Sequence, residues 1–243
     1  MAHSQLPNAQ LPLGIRLPDS SVFESYFPGR NQLVVDALLA VVAGKGPTCI
    51  WLHGVGGTGK THLLQAVCAR AGREGRTAVY LPLTEVLDLG EELLAGFGEL
   101  SIVCLDDAQA IAGRDAWERA LFRLHQELDE RGGRLLVSGA TPPAALPFQL
   151  RDLASRLNGG LVLTLQPLDE DEQIAALRLR AQLRGLELPD DTAQFMLRRL
   201  PRDMTNLYAF LDELDAASLA AQRRLTVRFV KEVLEQRTSG RLG

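Results

Sequence analysis

The chain is short of several features that would each have named a function. Its three cysteines, Cys49, Cys68 and Cys104, form no C-x-x-C pair and sit in apolar stretches. That excludes a disulfide framework and a zinc site and predicts buried free thiols in a reducing compartment. No apolar run approaches the ~18–20 residues that span a bilayer. The N-terminus has no charged stretch leading into an apolar core, so no signal peptide is expected. These absences predict a cytoplasmic protein with no membrane partner. Aromatics are 5% of the residues and the net charge is −4, which argues against gripping nucleic acid by bulk electrostatics; that would call for a basic face. His3, His53 and His125 lack metal-ligand spacing. What remains, 46% hydrophobic and 23% charged over 243 residues, is an ordinary globular makeup with room for one large domain or two modest ones.

What is present concentrates at residues 50–62, Ile-Trp-Leu-His-Gly-Val-Gly-Gly-Thr-Gly-Lys-Thr-His. Gly54, Gly59, Lys60 and Thr61 fill the pattern G-x-x-x-x-G-K-[ST] of a phosphate-binding loop. The glycines, with Gly56 and Gly57 beside Thr58, let backbone N–H groups turn toward phosphates. Lys60 would reach the β- and γ-phosphates, Thr61 would offer its hydroxyl to Mg²⁺, and the next helix would point its positive end at the anion. The alternative is a glycine-rich turn that matches by chance. Such a turn needs neither the strand expected at 49–53 nor the helix expected at 60–71, with Leu63, Leu64, Val67 and Cys68 on one face. The expected cofactors are ADP or ATP, with the preference open, and Mg²⁺. His62, at the helix start, is placed at the nucleotide in a packing or exposed role.

Strands and helices alternate from residue 48. Strands are expected at 49–53, 77–82, 101–106, 134–139 and 161–165, and helices at 60–71, 85–95 and 115–131. An earlier helix, 31–43, would turn Leu33, Val34, Ala37, Leu38 and Val41 inward. The continuous apolar runs suit strands covered on both faces, so the fold class is α/β: a parallel five-stranded sheet flanked by helices. Strands stop after Pro167. Asp169 and Glu172 form a capping box, Gly185 and Pro189 separate two helices, and Met204, Leu207, Tyr208, Leu211 and Leu214 line one face of 203–222. Thr226 opens a last helix, 227–236. The expected organisation is a flexible tail over 1–20, a nucleotide-binding base over 21–167, an all-α lid over 168–236 and a disordered end over 237–243.

A second nucleotide motif follows. Ile102-Val-Cys-Leu-Asp-Asp107 is an apolar strand ending in two carboxylates, where a P-loop protein keeps its Mg²⁺-side Asp. Asp106 would orient the metal or its water. Asp107 stands where many relatives use Glu to activate the attacking water. A strand-end turn that favours Asp is the plainer alternative.

Together, Gly54-Val-Gly-Gly-Thr-Gly-Lys-Thr-His-Leu-Leu64, Asp106-Asp107, Asp152-Leu-Ala-Ser-Arg-Leu157 and Phe23-Glu-Ser-Tyr-Phe-Pro-Gly-Arg-Asn31 resemble the AAA+ module of the bacterial replication initiator DnaA. The last segment, with Phe27, looks like the one that encloses adenine. A DnaA-like core behind a short tail, with no room after the lid for a basic helix-turn-helix domain, resembles the Hda family. Arg184-Gly-Leu-Glu-Leu-Pro189 and Phe229-Val-Lys-Glu232 add to that likeness, which spans most of 10–236. The resemblance implies an AAA+ base with a helical lid and nucleotide between them. It implies a regulator that, on the DNA-loaded sliding clamp, stimulates hydrolysis of ATP held by DnaA, meeting DNA through the clamp. Arg156 matches the arginine finger that would act in trans; an ion pair with Asp152, one turn back, is the alternative. Gln10-Leu-Pro-Leu13 resembles a clamp-binding motif in which Gln10, Leu11 and Leu13 dock; a plain leader is the alternative.

Two positions depart from the family pattern. The fourth strand ends Val137-Ser-Gly-Ala-Thr141 where relatives often carry Asp, so Ser138 or Thr141 must supply the polar contact. In the lid, the nucleotide-facing Arg falls on Thr205, with Arg202 one turn earlier expected to substitute. Weak intrinsic turnover follows from the lack of a lid arginine. Competing readings are a DnaC-type helicase loader, which should show basic and aromatic residues for single strands, and a small-molecule kinase, for which no acceptor motif is evident. The sequence leaves monomer and homo-oligomer open.

Overall fold

A computed structural model describes residues 21–201 and 203–239. The expectations for the 1–20 tail, for Gln10, Leu11 and Leu13, and for Arg202 lie outside the described residues.

Each strand is short, apolar and followed by a helix, which forces parallel pairing. The strands are β1 (Cys49–His53), β2 (Ala78–Pro82), β3 (Ile102–Asp106), β4 (Arg134–Gly139) and β5 (Leu161–Thr164). They form one parallel sheet in the order β2-β3-β4-β1-β5. All strands therefore end at one edge. β1 runs into the glycine loop and β3 ends at Asp106, two strands away, with β4 between them.

Side-chain alternation splits the core in two. Ile50, Leu52, Cys104 and Leu136 face α1 (Gln32–Val42) and α2 (Lys60–Arg73), meeting Leu38, Leu63 and Val67. Trp51, Val103, Leu105 and Val137 face the other way. There they meet Leu121 and Leu124 of α4 (Asp115–Arg131) and Leu153 and Leu157 of α5 (Arg151–Gly159). Trp51 is fully buried, packs edge-on to Phe148 and donates its indole N–H to Thr141 O at 3.0 Å. Trp51→Ala should destabilise the fold by about 3–5 kcal/mol, read as a lower urea midpoint with an unchanged slope. A shift below 1 kcal/mol would mean that the sheet is not anchored there.

Two expectations fail locally. The helix at 85–95 is replaced by the four-residue α3 (Leu83–Val86) and a chain of 3₁₀ turns over 87–89, 91–94 and 97–99. Gly90 and Gly96, at φ +87° and +89°, break the helical path between these turns. In α1, Leu33 is 81% exposed and Val35 and Val42 are buried instead. Val34, Leu38 and Val41 are buried as expected, so the stripe is turned only part of the way toward the Val35 and Val42 side. Apolar spacing does not reveal α5, whose nine residues are largely polar outside Leu153 and Leu157.

The lid comprises α6 (Glu170–Leu183), α7 (Asp190–Arg199), α8 (Met204–Ala221) and α9 (Val227–Ser239) around its own core of Leu177, Met196, Leu207, Phe210, Leu214 and Val230. Asp169 and Glu172 do form the capping box of α6. Arg30, just before α1, bonds both carboxylates, with Arg30 Nε to Glu172 Oε2 at 3.0 Å. This exposed cluster ties base to lid for about 1 kcal/mol at most. Among the described residues, no helix is long and apolar enough to cross a membrane.

Candidate functional site

The glycine loop lies at the sheet edge, under the start of α8. Gly59 takes φ +92°, and a Cβ there would fall 2.6 Å from Tyr26 Cε2, so both the turn and the neighbour demand glycine. A Cβ on Gly57 would lie 3.6 Å from Asp203 Cβ, 3.7 Å from Met204 N and 3.9 Å from Thr205 Oγ1. Two long helices, α2 and α8, thus aim their N-termini at the same loop, one from the base and one from the lid. At α2, which has no side-chain cap, the N–H groups and the positive dipole end favour an anion, whereas α8 is capped by Asp203, whose Oδ1 accepts the Asn206 N–H at 2.9 Å.

Between them is a cleft of about 490 Å³, lined by Gly56, Gly57, Thr58, Gly59, Lys60, Thr61, His62 and Asp107. Ser25, Tyr26, Phe27 and Gln65 close one side, and Leu168, Met204, Thr205 and Tyr208 close the lid side. The size and the mixed walls, apolar at Phe27, Leu168 and Tyr208 and polar at the loop, suit a nucleotide. Lys60 Nζ lies 2.8 Å from Gly54 O and 3.2 Å from Val55 O, so the cation is held at the loop mouth. His62 Nε2 is 2.9 Å from Val22 O, and its ring lies 5.6 Å from that of Tyr26. These contacts hold the segment before α1 against α2.

Behind the loop is a network around Asp106, which is 2% exposed. Thr61 Oγ1 donates to Asp106 Oδ2 at 2.6 Å, and Tyr80 OH donates to the same oxygen at 2.9 Å. Ser138 donates to Asp106 Oδ1 and accepts the Asp107 N–H at 2.9 Å. Asp107 itself sits at φ +60°, ψ +51°, a sparsely populated conformation for a non-glycine residue. Its carboxylate accepts from Gln109 Nε2 at 2.9 Å, while Gln109 Oε1 accepts the Ala140 N–H at 3.2 Å. Burial raises the Tyr80 hydroxyl pKa far above its usual range, and the Asp106 charge adds to it. The phenol therefore remains a donor.

The structure brings the glycine loop, Thr61, Asp106, Asp107 and Ser138 into one unit. Ser138 is fully buried and off the cleft wall, so it acts on the Asp106 carboxylate and the Asp107 backbone rather than on the cleft. Among the described residues no group of three or more His, Cys, Asp or Glu could hold a metal. The Thr61 hydroxyl beside Asp106 nonetheless fits Mg²⁺, which keeps waters and needs few protein ligands when phosphates supply the rest. Thr61 would ligate the ion and Asp106 would hold one of its waters, while the ion would neutralise phosphate charge. Tyr80, Gln109, Gln65 and Tyr26 were not singled out from the sequence.

Arg156 is elsewhere. It lies exposed on α5, outside the residues lining the cleft, with its guanidinium 5.1 Å from the centre of the Phe122 ring on α4. Among the described residues no ion pair joins it to Asp152.

His62, His53 and His125 all have pKa values lowered from 6.5. Burial is the first cause in each, with cationic neighbours adding to it: Arg180, Lys60 and Arg156 respectively. The native state therefore binds fewer protons than the unfolded chain below about pH 6.5. Their stabilising contribution is complete above that value and is lost as pH falls through the lowered pKa values. Denaturant midpoints should drop from pH 7.5 to 5.5, and His62→Gln should shrink that drop; an equal drop in the variant would rule out His62 as a contributor.

A parallel sheet in this order, a P-loop, an acidic β3 end and an all-α lid define a P-loop NTPase of the AAA+ class. The family of bacterial DnaA ATPase domains matches residues 17–164, and the chain belongs to it. The lid domain of Hda matches residues 169–234, which makes the chain a Hda-like, DnaA-related AAA+ protein. Domain III of Thermotoga maritima DnaA superposes with a TM-score of 0.78 at 24% identity, over 91% of this chain and 98% of that one. AMPPCP-bound DnaA from Aquifex aeolicus gives 0.66 at 22%, over 76% of this chain and 61% of that one. The chain thus spans under two thirds of that longer protein. The Thermotoga maritima RuvB Holliday junction branch migration motor gives 0.61 at 16%, over 85% of this chain and 67% of that one.

Proposed function

We propose that this protein is a nucleotide-bound regulator that stimulates hydrolysis of ATP held by DnaA while docked on the DNA-loaded sliding clamp. ADP or ATP with Mg²⁺ would fill its own cleft, in keeping with the AMPPCP bound to the similar DnaA structure. The observation that carries the reading is the placement of Arg156, exposed on α5 and away from its own cleft. A guanidinium so placed is free to reach a phosphoryl group on another molecule. There water bonds to the γ-phosphorus, the bond to the β–γ bridging oxygen breaks with its electron pair left on ADP, and the guanidinium offsets the charge that develops. The tail motif Gln10, Leu11 and Leu13 would supply the clamp contact, a few anchors on an extended segment.

A helicase loader working on single strands fits less well. The strap after β2, residues 83–100, carries Glu85, Asp88, Glu91, Glu92 and Glu99 and no lysine or arginine, so it repels a phosphate backbone. Capture on immobilised clamp and on immobilised replicative helicase separates the two readings. The expected result is retention on the clamp, lost when residues 1–16 are removed; retention on helicase and not on clamp would reverse the assignment.

Intrinsic turnover should be slow. Thr205 places a neutral hydroxyl over the loop where the family carries a cation, and Ser138 is committed to the Asp106 carboxylate and the Asp107 N–H. A rate on the order of 10⁻³ s⁻¹ is expected, that of a P-loop site without its arginine. Steady turnover above 1 s⁻¹ in phosphate-release assays, about a thousandfold faster, would contradict this.

A further inference from the structure

Glu118, on α4, is fully buried and outside the cleft. Among the described residues it has no cationic partner. Its carboxylate is satisfied by three backbone amides: Gly113 N to Oε1 at 2.6 Å, and Gln149 N and Leu150 N to Oε2 at 2.9 and 2.7 Å. Gln149 Nε2 returns to Gly113 O at 3.1 Å. The loop ahead of α4 and the loop ahead of α5 are therefore fastened to one buried group. Leu150 is the N-cap of α5 and has no side-chain cap of its own. Glu118 supplies the missing negative charge and acceptor from a different helix.

We propose that Glu118 is the positioning residue for Arg156: by holding the Gln149 and Leu150 amides it fixes where α5 begins, and hence where the guanidinium emerges. The inference rests on the trans-acting reading of Arg156. Each residue of an α-helix turns by about 100°. Arg156 lies six positions after Leu150, under two turns from the anchored start, so loosening that start shifts the guanidinium even with Leu153 and Leu157 seated in the core. Misplacement by about 1 Å is enough to cost on the order of 100-fold in rate. A carboxylate is required because one group must accept at both oxygens. Glutamine can accept at one of them, and its amide nitrogen would face the remaining N–H groups.

The test compares wild type, Glu118→Gln and Arg156→Ala in stimulation of DnaA hydrolysis across a titration of regulator. Amide exchange at Gln149 and Leu150 is followed in parallel. Glu118→Gln should lower the maximal stimulated rate ten- to a hundredfold, leave the half-maximal concentration within about threefold, and leave ADP affinity unchanged. The two amides should exchange faster. Leu150→Pro removes one of the same hydrogen bonds from the other side. Its φ of −80° suits proline, so it decides the matter if Glu118→Gln does not fold. Wild-type maximal rate in Glu118→Gln or in a folded Leu150→Pro, with Arg156→Ala inactive, overturns the positioning role and leaves the arginine role standing. Loss of rate with unchanged amide exchange also overturns it. Full stimulation by Arg156→Ala, or none by wild type, removes the reading beneath it.

Discussion

Arg156→Ala is expected to bind ADP as wild type does and to lose its effect on DnaA-bound ATP by about 10³–10⁵ in rate, the contribution of an arginine supplied in trans. Arg156 is exposed on α5 and its guanidinium lies over the Phe122 ring. Deleting it forfeits a surface cation–π contact worth about 0.5–1 kcal/mol, so the thermal midpoint should barely move. Arg156→Lys should not restore the rate, because a point charge lacks the planar fork that spans two phosphoryl oxygens. Wild-type stimulation by the alanine variant would return Arg156 to the role of a surface residue.

The second large effect is expected at Lys60. Its ammonium is held at the mouth of the loop by Gly54 O and Val55 O, where a phosphate would draw it from neutral acceptors to charged ones. Charge-assisted hydrogen bonds contribute about 1.5–3 kcal/mol, so Lys60→Ala should weaken ADP binding roughly ten- to a hundredfold by calorimetry. Stimulation of DnaA should fall in step at limiting ADP and return when ADP is raised, unlike the loss in Arg156→Ala. Unchanged ADP affinity would mean that the cleft between loop and lid is not where the nucleotide sits.

The loop was legible in the sequence because phosphate chemistry leaves little freedom: glycine where φ is positive, as at Gly59, and a cation and hydroxyl at fixed spacing. The β3 end at Asp106 was legible for a related reason, an apolar strand stopping at two carboxylates. Tyr80 was not. In Ala78-Val-Tyr-Leu-Pro82 it reads as a core aromatic, and its contact with Asp106 exists because β2 lies beside β3 with Tyr80 opposite Cys104. Strand order is a tertiary fact that alternation does not encode. Glu118 was hidden for a similar reason. Flanked by Asp115 and Arg119, which pair on the surface of α4, it reads as part of a solvated face, while two of its three amide partners lie more than 30 residues away. The failed helix at 85–95 shows the limit of apolar spacing, since Gly90 interrupts a pattern that otherwise fits.

The most direct measurement is single-turnover hydrolysis of ATP carried by DnaA, with this protein in excess, its own site filled with ADP, and sliding clamp loaded on DNA. The expected result is an increase of at least a thousandfold that requires the loaded clamp and vanishes with Arg156→Ala. A rate unchanged by the protein, with clamp present and ADP bound, would contradict it.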